Sequence, residues 1–139
     1  MQEKETKLYD TAEAVQTFIL VAVESDQPEL TADQSLDELA DLLRTAGGEE
    51  AGRLIQRREA PHPGTYLGSG KIEELKRALE MTGAAGAITD DELTPAQLRN
   101  LSEALGAKVI DRTLLILDIF SQRATTREGQ MQVELAQLN

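Results

Sequence analysis

The feature that most constrains the fold is a fourfold alternation of short apolar segments with longer segments of helical periodicity. The first apolar segment, residues 17–23, is continuous and rich in β-branched and aromatic side chains, which is typical of a strand covered on both faces. Further strands are predicted over 49–58, 86–90 and 107–111. Strands that alternate with helices pair in parallel through right-handed crossovers. The sequence therefore predicts an α/β fold with a four-stranded, mainly parallel sheet, helices on both faces and the strand order 2-1-3-4.

Helix start and stop signals separate these strands. Ser35 and Glu38 match a capping box and predict that the first helix begins at Ser35. The second helix is predicted over 71–82. The third has the clearest signal, with Thr94 as N-cap and Gln97 closing the box at the third helical position.

Beyond the fourth strand, a helix is predicted over 112–122. We divide the chain into a flexible acidic tail (1–16), an α/β domain (17–122) and a hinge that leads into a long helix (123–139). The last segment has apolar residues at helical spacing, namely Met131, Leu135 and Leu138. The chain ends within that period, so we expect a helical domain of which only the start is present.

The charge distribution limits the classes of partner. The net charge is −11, which argues against non-specific DNA binding because the phosphate backbone favours basic surfaces. Residues 1–50 hold 13 acidic and 3 basic side chains, whereas residues 51–139 hold 12 and 11. An anionic partner must therefore meet the second part of the chain, although the asymmetry also has a plain explanation in solubility. The absence of cysteine and of any apolar run near the ~20 residues of a membrane span predicts a cytoplasmic protein.

A glycine-rich loop, Gly64–Lys71, precedes the second helix. Five residues separate Gly64 from Gly70 where a Walker A loop has four, and Ile72 stands where that motif requires a hydroxyl for Mg²⁺. Three interpretations stay open: a plain strand-to-helix turn, contact with nucleic acid, or a mononucleotide site at the helix N-terminus.

Acidic residues follow two of the strands. Asp90, Asp91 and Asp111 could form a Mg²⁺ site of oxygen ligands. The plainer explanation is that the first two favour the positive end of the next helix and that Asp111 caps the helix after strand four. His62 is the single histidine and is expected in a solvated loop. Without cysteine or a second histidine, a nucleophile and its base cannot be assembled in the usual way, so no catalytic residue is predicted.

Basic side chains near the loops are the candidates for phosphate recognition. Arginine matches phosphate geometry with its planar fork, and an exposed tyrosine can stack on an unpaired base. Ordinary surface charge and a part-buried ring are the alternatives. The residues concerned are Arg53, Arg57, Arg58, Tyr66, Lys71, Arg123 and Arg127.

Taken together, several sequence strings resemble the N-terminal domain of HflX-type GTPases. The matching strings are 56–58, 65–75, 91–101, 109–113 and 117–124, and the last is continued by 126–129 and 132–138. The resemblance implies a ribosome-associated GTP-binding protein that binds the large subunit, contacts its ribosomal RNA and can separate the subunits. GTP and Mg²⁺ would belong to a downstream G domain in cis, because this chain has no G-x-x-x-x-G-K-[ST] motif and is not expected to be catalytic by itself.

By position, the resemblance marks eight candidate RNA contacts: Arg57, Arg58, Tyr66, Gly68, Gly70, Lys71, Arg123 and Arg127. Two alternatives belong to other classes. One is a nucleotide-binding or Mg²⁺-dependent phosphohydrolase domain that uses Gly68–Lys71 with Asp90, Asp91 and Asp111. The other is a structural or dimerising module built on the terminal helix.

Overall fold

A parallel sheet forms the centre of the molecule. The computed structural model describes residues 15–26 and 29–122. Its four strands are β1 (Thr17–Glu24), β2 (Glu49–Arg57), β3 (Gly86–Thr89) and β4 (Lys108–Asp111). They lie in the order β2-β1-β3-β4, and every neighbouring pair is parallel. The predicted fold class and strand order are confirmed.

Helices cover both faces of this sheet. They are α1 (Ala32–Thr45), α2 (Ser69–Thr82), α3 (Pro95–Leu105) and a final helix α4 over 112–122. No helix among the described residues is both long and apolar enough to cross a membrane. Most of the predicted tail and the whole hinge lie outside the described residues, so the proposed division of the chain stays a prediction.

The start of α1 corrects the sequence prediction. The helix begins three residues earlier than expected, because Thr31 rather than Ser35 is the N-cap and Gln34 closes the capping box. Ser35 instead donates a hydrogen bond from its hydroxyl to Asp90. A capping box in sequence cannot show which of two overlapping patterns caps the helix, and here a tertiary contact takes the Ser35 hydroxyl. The box of Thr94 and Gln97 at α3 is confirmed.

Two apolar layers result from the alternation of side chains along the strands. Ile19 and Val21 of β1 face α2 and α3, whereas Phe18 and Leu20 face α1 and α4. Leu20 and Val21 are fully buried, one on each face. The first strand is therefore the buried centre of the sheet, as its continuous apolar sequence predicts.

Gly86 permits the close approach of β3 and β4. It pairs with Lys108, and a Cβ atom at Gly86 would lie 2.2 Å from the backbone oxygen of Lys108. A backbone atom at that distance cannot move aside without displacing β4.

We predict that Gly86→Ala lowers the free energy of unfolding by roughly 1–3 kcal/mol, the usual cost of overpacking. Gly70→Ala is the matched control, because a Cβ there meets nothing within 4 Å and the residue lies in the first turn of a helix. It should cause no loss, and a gain of up to ~1 kcal/mol. Urea unfolding of both variants gives the comparison, and equal effects would contradict the account.

Candidate nucleic-acid interface

The carboxyl ends of the strands form the edge at which parallel α/β sheets bind their ligands. Glu24 lies opposite Arg57 where β1 and β2 end, and Thr89 lies opposite Asp111 where β3 and β4 end. The predicted site residues within the described part of the chain lie at or near this edge.

Arg57 and Arg58 end β2 without a carboxylate partner. Among the described residues, Arg57 is exposed and makes no ion pair, and Arg58 donates from Nε to the backbone oxygen of Ala60 over 3.0 Å. A Cβ on Gly68 would lie 3.0 Å from Nη1 of Arg58, so this guanidinium extends over the start of α2. Because residues alternate along a strand, Arg57 shares the side of Ile55, which faces α1. The two arginines share one edge but extend to different sides of it.

Arg53, on the same strand, is held by acidic side chains. It forms ion pairs with Asp33, Asp37 and Glu50. The hydrogen bond that Arg53 donates to the Glu50 carboxylate is the main reason that the pKa of Arg53 is raised above its usual range. This guanidinium is therefore not available to a phosphate.

The glycine-rich loop is fixed by hydrogen bonds from both ends. The backbone N–H of Gly68 donates to Oε1 of Gln56 over 2.9 Å. From α3, Nε2 of Gln97 donates to the backbone oxygen of His62 (2.9 Å), and Nδ2 of Asn100 donates to that of Gly64 (3.0 Å). Three amide side chains thus set the shape of the loop.

His62 has a structural role that the sequence did not indicate. Its Nδ1 accepts hydrogen bonds from the backbone N–H groups of Gly64 (3.0 Å) and Thr65 (3.2 Å). The backbone of His62 also pairs with that of Tyr66 in both directions, at 3.0 and 2.9 Å. The loop lies at the surface, as expected, and the half-buried ring of His62 closes its turn. A lone histidine between two prolines carries no sequence signal for this role.

Tyr66 corrects the expectation of base stacking. Its side chain is 0% exposed, so its ring cannot meet a base, and its backbone is left-handed at φ 69°. The hydroxyl accepts from the N–H of Val23 (3.1 Å) and donates to Oδ2 of Asp91 (2.7 Å). Burial, and then the charge of Asp91, raise the pKa of Tyr66 well above its usual range. Tyr66 thus fastens the loop to the end of β1 and to Asp91.

The other loop residues predicted to contact RNA differ in their exposure to solvent. Gly70 is exposed with open space around it, and Gly68 is half-buried. Lys71 pairs with Glu74 across one turn of α2 at 3.0 Å, and the two side chains are 32% and 52% exposed. A partly exposed ion pair of this kind contributes little and is readily exchanged. The predicted contacts Arg123 and Arg127 lie outside the described residues.

The acidic residues of the alternative Mg²⁺ site all have partners within the domain. Asp90 accepts from Ser35 and pairs with Arg112. Asp111 accepts from the N–H of Leu93 (2.9 Å) through one oxygen and from that of Leu114 (2.8 Å) through the other. The second bond caps α4 as predicted. Among residues 15–26 and 29–122, no three acidic or histidine side chains converge as a metal site would require.

Comparison with known proteins places this arrangement in a family. Residues 33–121 match the family model described as GTP-binding GTPase N-terminal. The chain belongs to this family, as an HflX-type N-terminal domain. It is 56% identical over 133 residues to the GTPase HflX of Lacrimispora saccharolytica, and 44% identical over 131 residues to that of Escherichia coli. These alignments cover 96% and 94% of this chain but 31% and 30% of the relatives, so the chain spans about a third of their length.

Solved structures show the same fold. The chain is similar to SsGBP in complex with GDP, with a TM-score of 0.61 and 25% identity over 89% of this chain and 34% of that one. A GTP-binding protein from Sulfolobus solfataricus in complex with GDP has a TM-score of 0.57 and 24% identity, over 87% of this chain and 36% of that one. At that identity the second likeness shows the fold alone.

In this HflX-type domain, much of the recognisable sequence holds the loop in place. Residues from three of the strings that carry the resemblance are engaged in internal hydrogen bonds: Gln56, Tyr66, Asp91, Gln97 and Asn100. Arg57 and Arg58 belong to the same strings and have no carboxylate partner among the described residues. The residues that shape the loop are therefore distinct from Arg57 and Arg58, which stay predicted contacts.

We predict that Tyr66→Phe lowers the free energy of unfolding at pH 7 by about 1–3 kcal/mol, because the Val23 amide loses its buried acceptor. The loss of unfolding free energy caused by Tyr66→Phe should become smaller above pH 10. The unfolded chain releases the Tyr66 proton near pH 10, whereas the folded chain retains it because its Tyr66 pKa is raised. The unaltered protein therefore loses stability as the pH rises above 10, by about 1.4 kcal/mol per pH unit.

Denaturant unfolding of both proteins between pH 7 and pH 11 gives the measurement. The Phe variant lacks the Tyr66 titration, so its pH dependence shows the effect of the other groups that ionise in the same range. A difference between the two proteins that stays constant with pH would contradict the assignment.

Proposed function

We propose that this domain binds folded RNA of the large ribosomal subunit through the carboxyl edge of its sheet. In the longer protein it would position a G domain that follows in cis and contribute to the separation of the subunits in the cytoplasm. The family resemblance supports the choice of a ribosomal partner, and the geometry supports the choice of this edge.

One observation carries the proposal: Arg57 and Arg58 are adjacent cations without a carboxylate partner, beside a loop of fixed shape. A planar guanidinium that is not already paired can bind a phosphate through two hydrogen bonds. Gln56 holds the loop around Gly68, so the arginines extend from a rigid part of the backbone. Little conformational entropy of the backbone would therefore be lost on binding.

The charge distribution supports an approach from the loop side. The outer surface of α1 carries Asp33, Asp37, Glu38 and Asp41 against Arg44 alone. An RNA backbone would be repelled there, whereas α2 and the loop before it have no such excess of acid. Exposed Gly70 at the start of α2 leaves room for a phosphate near the helix N-terminus.

Nucleotide binding belongs, in this proposal, to the part of the protein that follows. The relatives are named GTPases, and SsGBP was solved with GDP. The 139 residues contain no phosphate-binding motif of the kind that holds GTP and Mg²⁺. We therefore assign GTP and Mg²⁺ to the downstream G domain and RNA contact to this one.

We predict that replacing Arg57 and Arg58 together with alanine weakens binding of the 139-residue chain to isolated large subunits and lowers its salt dependence. Each phosphate contact contributes about 0.7–0.9 to the slope of log K against log salt, so the slope should fall by roughly 1.5. Sedimentation with large subunits over a range of salt concentrations gives the slope.

The matched control replaces Lys76 and Arg77, an equally charged and exposed pair midway along α2. It should change the slope much less. If both double variants weaken binding alike, only net charge matters and the proposed edge is wrong. Retention of the full salt slope by the Arg57 and Arg58 variant would also reject it.

The alternative of a nucleotide-dependent phosphohydrolase has little support, since Asp90 and Asp111 are engaged with Arg112 and with backbone N–H groups. We predict that isothermal titration of this chain with GTP and Mg²⁺ gives no binding heat. Heat that Asp90→Ala abolishes would instead favour that alternative.

A further inference from the structure

The Gln97 side chain is a buried amide whose two hydrogen bonds have different effects. It is 9% exposed and lies in the first turn of α3. Its Oε1 accepts from the backbone N–H of Thr94 over 3.0 Å and closes the capping box of this helix. Its Nε2 donates to the backbone oxygen of His62 over 2.9 Å, 35 residues earlier in the chain. The first bond stabilises the helix, and the second holds the start of the glycine-rich loop.

Capping alone does not require an amide at this position. A capping box needs only an acceptor at the third helical position, and glutamate supplies it as well as glutamine does. In α1 the equivalent amide has that role only, because Oε1 of Gln34 accepts from the N–H of Thr31 over 3.0 Å. Gln34 is exposed, and its Nε2 has no hydrogen-bond partner in the part of the chain that the structure describes. The donor end of Gln97 is therefore the feature that distinguishes α3.

His62 is the residue through which this bond acts on the loop. Its backbone oxygen accepts from Gln97 and also from the N–H of Tyr66 over 2.9 Å. Its ring Nδ1 accepts from the N–H groups of Gly64 and Thr65. One anchored residue thus holds three consecutive backbone N–H groups of the turn.

A second contact from α3 acts on the same turn. Nδ2 of Asn100 donates to the backbone oxygen of Gly64 over 3.0 Å. Gln97 and Asn100 are three residues apart, so they lie on one face of the helix. The helix therefore holds the turn at two points, and a shift of the turn away from α3 would break both bonds.

The turn that α3 holds leads directly to the arginines. Tyr66 has a left-handed backbone at φ 69°, which a bulky residue adopts only where its surroundings impose it. Two residues later, the N–H of Gly68 donates to Oε1 of Gln56. Gln56 immediately precedes Arg57 in β2, and the guanidinium of Arg58 extends over Gly68. The shape of the turn thus determines where Gly68 meets the end of β2.

We propose, on the basis of the function proposed above, that Gln97 is a positioning residue for RNA binding. It holds the glycine-rich loop beside Arg57 and Arg58 and does not itself touch the RNA. A loop without this bond would sample several shapes and would have to be ordered when RNA binds, which lowers the affinity. The net effect of one hydrogen bond corresponds to a change of roughly 2- to 10-fold in an equilibrium constant, so a loss of affinity of that size is expected.

The substitution Gln97→Glu separates the two hydrogen bonds. The carboxylate still accepts from the N–H of Thr94, so the cap of α3 is kept, but it cannot donate to His62. Gln34→Glu is the matched control, with the same change of chemistry and charge at the same position of a capping box. Gln97→Met and Gln34→Met form a second pair without added charge, which separates the lost donor from the effect of a buried carboxylate.

Amide hydrogen exchange, followed by NMR, tests whether Gln97 holds the loop. The N–H groups of Gly64, Thr65 and Tyr66 should exchange roughly 2- to 10-fold faster in both Gln97 variants, and at unchanged rates in both Gln34 variants. The amides of β1 report unfolding of the whole domain and serve as the reference. Loop rates equal to those of the Gln34 controls would overturn the proposal. Equal acceleration of the loop and of β1 would also overturn it, because the loss would then be global.

Sedimentation with isolated large subunits over a range of salt concentrations tests the role in binding. Gln97→Met should bind roughly 2- to 10-fold more weakly than Gln34→Met. The slope of log K against log salt should be the same for both, because neither substitution removes a phosphate contact. A purely structural role of Gln97 would leave the affinity of the folded domain unchanged.

The outcomes separate this role from the RNA site itself. Equal affinities of the two Met variants would reject the positioning role and leave the site at Arg57 and Arg58 in place. A lower salt slope for Gln97→Met would also reject it, because a phosphate contact would then have been lost. Failure of the unaltered chain to bind large subunits would reject the proposed function, and the positioning role with it.

Discussion

The structure depends on β1, which is paired on both edges and covered on both faces. It extends further than its partner β3, which pairs only with Phe18–Val21. Val23 lies beyond the part of β1 that β3 covers, and leaving its part-buried N–H without an acceptor would be costly. Tyr66 supplies the missing acceptor and thereby fixes the glycine-rich loop to the end of β1. The shape of the candidate interface thus follows from the unequal lengths of two strands.

The sequence predicted those parts of the fold that local pattern controls. A continuous apolar strand at the centre, the alternation of strands and helices, and the N-cap at Thr94 all depend on residues within about ten positions of one another. The start of α1 was misplaced because Ser35 has a partner, Asp90, that is distant in sequence. Composition cannot reveal a bond of that kind.

The difference between local patterns and contacts distant in sequence also explains which predictions at the candidate site agree with the structure. Arg57 and Arg58 could be proposed from their chemistry, and their lack of carboxylate partners among the described residues agrees with that. Tyr66 looked like a stacking residue because an aromatic side chain among glycines and arginines is common in RNA-binding loops. Its burial depends on two contacts 43 and 25 positions away, with Val23 and Asp91. No local pattern encodes them.

The carboxyl edge also holds the start of α4. Asp111 joins the N–H of Leu93 to that of Leu114, so one carboxylate connects the turn before α3 to the start of α4. Arg112 then ties α4 to Asp90 and to the backbone oxygen of Ser35 in α1. These contacts lie on the same edge of the sheet as Arg57 and Arg58. The end of β2, the turn before α3 and the start of α4 therefore belong to one frame of hydrogen bonds and ion pairs, which local sequence patterns do not encode.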